Sequence, residues 1–102
     1  MRKISQDAYN AFINNRNFKS SNTIVLVEEN KTSMYLHKNE IAKIEYGELF
    51  ISDGGYGTSN TTRDRLNAFP GVWLSFRKGQ WFVGVTVKWD GKWANVNLFK
   101  EG

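Results

Sequence analysis

Residues 23–53, TIVLVEENKTSMYLHKNEIAKIEYGELFISD, decide the fold. Thr23 to Glu28 is β-branched and apolar on both faces, which places it centrally in a sheet. Glu29-Asn30-Lys31 turns the chain into Thr32 to His37, where Met34 and Leu36 alternate with Ser33, Tyr35 and His37. Lys38-Asn39 turns it again. Glu40 to Tyr46 then sets Ala42, Ile44 and Tyr46 on one side and Ile41, Lys43 and Glu45 on the other. Gly47-Glu48 leads into Leu49 to Asp53. Connectors this short join only antiparallel neighbours, so the stretch predicts a four-strand meander.

Outward from the meander, Ile4 to Asn15 reads as a helix, with Ser5 as N-cap, Asp7 near the positive end and Ile4 able to staple onto Tyr9. Ala8, Tyr9, Phe12 and Ile13 recur at helical spacing and form its apolar face. A polar connector runs from Asn14 through Asn22. On the other side, residues 54–71, GGYGTSNTTRDRLNAFPG, form a glycine-rich loop that feeds a short basic helix. Asn60 or Thr61 caps that helix, Asp64 is a weak capping-box partner of Thr61, and Leu66 and Phe69 face inward. Arg63, Arg65 and Asn67 then point elsewhere, and Pro70-Gly71 ends the helix. The loop reads either as an anion or partner site or as a plain strand-to-helix connector.

Val72 to Arg77 alternates again, with Val72, Leu74 and Phe76 inward and Trp73, Ser75 and Arg77 outward. Lys78-Gly79 turns into a strand over Gln80 to Trp89, and Asp90-Gly91 is a hairpin signal. A two-residue turn there sets Trp89 opposite Lys92 and Lys88 opposite Trp93, as cross-strand cation–π pairs. Ala94 to Phe99 closes the chain. The expected class is α+β: a largely antiparallel sheet of about 5–7 strands with both helices on one face.

The 102 residues suit one domain with its own core. Cysteine is absent, which removes disulfides and thiolate chemistry. No apolar run approaches the roughly 18 residues of a membrane span, and the N-terminus lacks a signal-peptide core, so the expectation is a soluble cytoplasmic protein. The net charge is +4, and its excess lies wholly from Asn60 onward, where all four tryptophans also lie. Basic and aromatic side chains together can neutralise phosphate and stack on bases, or form a solvated surface over an aromatic core.

Catalysis is poorly provided for. His37 is the single histidine, on a strand between Leu36 and Lys38, and no HExxH or Cys/His cluster is present for a metal. GGYG lacks both the Lys-Ser/Thr of a P-loop and the spacing of a dinucleotide fingerprint. Asp53 and Asp64 are isolated carboxylates. The expectation is a binding protein, not an enzyme, with no cofactor. Tyr56, Thr58, Arg63, Arg65, Trp73 and Arg77 form the candidate surface, and Lys88, Trp89, Lys92 and Trp93 a second one. Trp, Tyr and Arg dominate protein interface hot spots, and the same residue types bind single-stranded nucleic acid. A third reading holds a small anionic nucleotide between the GGYG loop and the following helix N-terminus. Nothing requires a particular oligomeric state.

The segments MYLHKNEIAKIEYGELFIS, GYGTSNTTRDRLNAFPGV and KWDGKW resemble those of short, uncharacterised accessory proteins of tailed bacteriophages, from ISQDAYNAF through WDGKW. GVTVKW and the tail NVNLFKEG depart from that pattern. The resemblance implies a phage protein made in the infected bacterial cytoplasm. Small proteins of that kind often bind and inhibit or redirect host machinery, defence systems included. No catalytic or binding residue carries over from it.

Overall fold

The computed structural model describes residues 2–101. Helix α1 spans Lys3–Ile13, and six strands make the main sheet: β1 Phe18–Ser20, β2 Thr23–Val27, β3 Lys31–Leu36, β4 Asn39–Glu45, β5 Glu48–Ile51 and β9 Ala94–Asn95. Helix α2, Asn60–Leu66, follows β5. Strands β6 Leu74–Arg77, β7 Gln80–Val83 and β8 Val87–Trp89 form a separate three-stranded sheet, and a 3₁₀ segment, Val96–Glu101, follows β9. All the pairings are antiparallel, and the main sheet runs in the order β1-β2-β3-β4-β5-β9. The protein is α+β.

One row of side chains shows how the meander makes a core. Phe18, Val25, Met34, Ala42, Ile51 and Ala94 are successive partners across all six strands. They all belong to one core, which Ala8 and Phe12 of α1 and Leu66 of α2 help to fill. Phe69, just after α2, stands edge-on to both Tyr9 and Phe12, with centroids 5.2 and 5.0 Å apart. The opposite face of the main sheet carries Leu26, Ser33, Lys43, Phe50 and Asn95 in the neighbouring row.

Four sequence readings are corrected here. Strand β1 lies inside the expected polar connector, so β2 gains a partner on each side. The β3–β4 turn is His37-Lys38, one residue earlier than expected, with both residues at positive φ (49° and 69°). That primed-turn geometry matches the strand twist, although neither residue is glycine. Gln80 to Trp89 is not one strand: Gly84, at φ 68°, breaks it, and Val83↔Val87 closes a hairpin around residues 84–86. Asp90-Gly91 is not a hairpin either, because β8 pairs with β7 while β9 pairs with β5.

The α1 face also differs. Ser5 does not cap the helix; Arg2 occupies that position without a side-chain cap, and Ser5 is buried one turn in. Ile13 is 46% exposed, while Ala11 lies in the core.

The two sheets meet at Asp53. Its backbone N–H donates to Gly91 O at 2.8 Å, and its carboxylate accepts from Trp81 Nε1 (3.1 Å) and from the Gly55 N–H (2.8 Å). A Cβ at Gly91 would collide with that carboxylate, so Gly91 serves close approach and not a turn. Trp89 packs on Trp81 with centroids 5.7 Å apart and donates its Nε1–H to Lys92 O.

Candidate functional site

The glycine-rich loop and α2 lead to very different places from those expected. Ser59, not Asn60 or Thr61, caps α2, its Oγ accepting from the Thr62 N–H at 3.0 Å. Thr62, Arg65 and Leu66 are the buried residues of the helix. Arg65, expected at the surface, is only 2% exposed. Its guanidinium donates to Ser5 Oγ (2.8 Å) and Thr23 Oγ1 (2.9 Å), with Asn22 Oδ1 and Asp64 Oδ2 at 3.4 and 3.5 Å. Ser5 in turn donates to Asp64. Asp64 is therefore no capping-box partner. Burial pulls the Arg65 guanidinium below its ordinary pKa, and Asp64 opposes that pull. This cluster ties α1, β2 and α2 together, so Arg65 is a structural residue and leaves the candidate surface.

The other members of the first surface separate as well. Tyr56 packs edge-on against His37, and its hydroxyl lies 3.4 Å from His37 O, at the β3–β4 turn. Thr58 is half-buried in the loop before α2. Arg63 reaches back to Asn60 Oδ1 at 3.0 Å and lies over the Phe76 ring, 4.9 Å from its centroid. Phe76 alternates with Arg77, so Arg63 and Arg77 serve opposite faces of the small sheet.

Trp73 and Arg77 do share a face, as expected. Arg77 lies over Phe82 at 3.9 Å and donates to Val85 O at 3.0 Å. Gly84 N–H donates to Trp73 O at 2.6 Å, and Ser75 Oγ donates to Gly84 O at 2.9 Å. Lys88 stands opposite Phe82, and so joins this face from β8. Trp73 is 76% exposed and Val85 75%, although both are large and apolar. The outer face of the small sheet thus presents Trp73, Val85, Arg77 and Lys88 on a backbone that hydrogen bonds hold in place. Val85 escaped the sequence reading because it was placed mid-strand; Gly84 was the signal for a turn there.

The second predicted surface divides. Lys88 belongs to the face just described, and Trp89 is buried. Lys92 and Trp93 stand instead beside Asn39, Glu40 and Gly54. The expected pairs Trp89/Lys92 and Lys88/Trp93 do not form across a hairpin. The cation over Trp93 is Lys43, at 4.6 Å from the ring centroid.

The family model described as Kyanoviridae Gp96 protein matches residues 1–102, the whole chain. The chain belongs to the Kyanoviridae Gp96 family. The match includes GVTVKW and the C-terminal tail, so the two segments expected to depart from the phage pattern lie within the family. The Gp96 family is one of short phage proteins of unknown function, in keeping with the phage resemblance of the sequence. No curated protein and no solved structure matches the chain. Among the described residues, no helix is long and apolar enough to cross a membrane.

Proposed function

We propose that this Gp96-family protein is a non-catalytic phage accessory protein that binds a bacterial host protein and inhibits or redirects it. The observation that carries the reading is the outer face of the small sheet, where Trp73 is 76% exposed beside Val85, Arg77 and Lys88. An isolated exposed aliphatic residue needs no explanation, but a nearly bare tryptophan beside a second bare apolar residue and a fixed arginine is the composition of an interface hot spot. Arg77 is held by Phe82 and Val85 O, so little side-chain entropy remains to be lost on docking. The rival nucleic-acid reading has less behind it, since Arg77 and Lys88 are the two cations among these four residues, few for phosphate neutralisation. Host defence proteins are among the targets this reading allows.

The test is capture from nuclease-treated host lysate by wild type, Trp73→Ala and Arg77→Ala, after each variant is shown to melt like wild type. The purified partner is then titrated against all three. We expect one host protein retained by wild type, with affinity falling at least tenfold for Trp73→Ala. Equal affinity for the variants would move the interface elsewhere. Capture that vanishes with nuclease would replace the protein partner with nucleic acid.

A further inference from the structure

A second site, sharing no residue with the small-sheet face, lies at the seam of the two sheets. It is a cleft of about 530 Å³ between the start of β4, the loop after β5 and the segment leading into β9. That volume lies in the range of small-molecule sites. Its wall on one side is bare backbone. At Gly54, φ is 71°, and a Cβ would come within 3.0 Å of Asn39 Cβ and 3.2 Å of Ile41 Cγ2, so only glycine permits this close passage. Gly55 continues the wall.

The polar groups around the cleft form an incomplete set. Glu40 Oε2 is buried and pairs with the Lys31 ammonium at 3.5 Å, a contact too long to meet its hydrogen-bonding capacity in full. Asn39 uses its amide Nδ2 on His37 O and keeps Oδ1 as an acceptor. Lys92 is exposed and takes part in no ion pair among the described residues. Trp93 is 41% exposed, with Lys43 over its ring. Asp53, deeper in, already accepts from Trp81 and Gly55. Beyond the Lys31 ion pair and the Lys43 contact, two acceptors, one ammonium and the second face of one indole keep bonding capacity to spare.

We infer that this cleft binds a nucleotide, its base against Trp93 with its amino or imino edge donating to Glu40 and Asn39, and its phosphate on Lys92. An indole plane suits any base, because every base offers a π face. A carboxylate and an amide oxygen select a ligand edge that donates. A single lysine at the rim supplies the point charge for a phosphate. The nucleotide reading from the sequence joined the GGYG loop to the N-terminus of α2. The cleft instead joins Gly54 and Gly55 to β4 and Trp93, while the start of α2 is closed by its own Ser59 cap. A free nucleotide and one unit of a single strand offer the same base and phosphate.

The experiment titrates the whole protein with GMP, AMP, CMP and UMP, with guanosine, and with a single-stranded tetranucleotide, reading tryptophan fluorescence and Tm. We expect saturable quenching and a raised Tm with at least one monophosphate. Trp93→Ala should abolish the quenching, Lys92→Ala should weaken binding about tenfold, and Glu40→Gln should weaken it for amino-bearing bases. Tetranucleotide binding much tighter than the monophosphates would assign the site to a strand, and equal binding to free nucleotides. Absence of quenching and of any Tm change with every probe at millimolar concentration would overturn the inference. So would quenching that survives in Trp93→Ala. Lys92 is exposed, so its variant remains informative if Trp93→Ala folds poorly. Either result leaves the small-sheet reading standing, because the two sites share no side chain.

Discussion

Replacing Arg65 should cost far more than replacing its neighbour Arg63. Arg65→Ala removes a buried guanidinium that serves Ser5, Thr23, Asn22 and Asp64 at once. Breaking a buried ion pair by deleting one partner typically costs about 3–5 kcal/mol, since the other charge is left without compensation. Asp64 keeps 23% side-chain exposure, so water can reach it, which places the cost near the lower end, at about 3 kcal/mol. For a domain of this size each kcal/mol moves Tm by about 4–8 °C, so Tm should fall by about 12–24 °C. Arg63→Ala loses a contact over Phe76 and a bond to Asn60, worth under about 1 kcal/mol at a half-exposed site. Arg65→Lys should recover little, because one ammonium cannot replace a planar fork spread over several acceptors. The assay is urea and thermal unfolding of the three variants beside wild type. If Arg65→Ala unfolded with wild-type Tm, the guanidinium would not be the buried link between α1, β2 and α2.

Gly91→Ala should destabilise strongly, because its Cβ would strike the Asp53 carboxylate and its φ of 81° disfavours alanine. Unfolding of Gly91→Ala, Asp53→Ala and the double variant should give less than the sum of the single losses, and strict additivity would show no contact between them. Tyr46→Asn should stabilise by about 1 kcal/mol, since a bulky, exposed Tyr46 sits at φ 55° before Gly47 where Asn-Gly is favoured. A lower Tm for that variant would contradict the turn geometry. Glu40 raises the Lys31 pKa above its ordinary 10.5, so the stability from their pair is fully present below 10.5 and is lost as pH rises beyond it. The stability difference between wild type and Lys31→Met, at most about 1 kcal/mol, should hold from neutral pH to 10.5 and shrink above it; a difference that grows above 10.5 would reverse the sign assigned.

The meander was legible because β-branched alternation and short connectors leave antiparallel pairing as the one solution, and β2 to β5 follow it. Strand β1 was not, since Phe18 is the only apolar residue of its three and pairing with β2 supplies what propensity lacks. Arg65 could have been found. Thr62, Arg65, Leu66 and Phe69 stand at i, i+3, i+4 and i+7, as do Ser5, Ala8, Tyr9 and Phe12, so each apolar stripe carries a polar residue toward the other helix. Treating those two residues as a cap and a surface charge hid the link between them. Asp90-Gly91 misled for a different reason: a glycine needed for close approach to Asp53 has the same local spelling as one needed for a hairpin. Of the ten proposed site residues, only Trp73, Arg77 and Lys88 meet on the small-sheet face, because register and not sequence distance decides which side chains share a side.

The most direct test of the small-sheet reading is amide hydrogen exchange on the protein alone and bound to its captured host partner. The expected result is slowed exchange over residues 73–77 and 80–88, with the amides of β1 to β4 unchanged. Protection confined to the main sheet or to α1, with residues 73–88 exchanging as in the free protein, would contradict it.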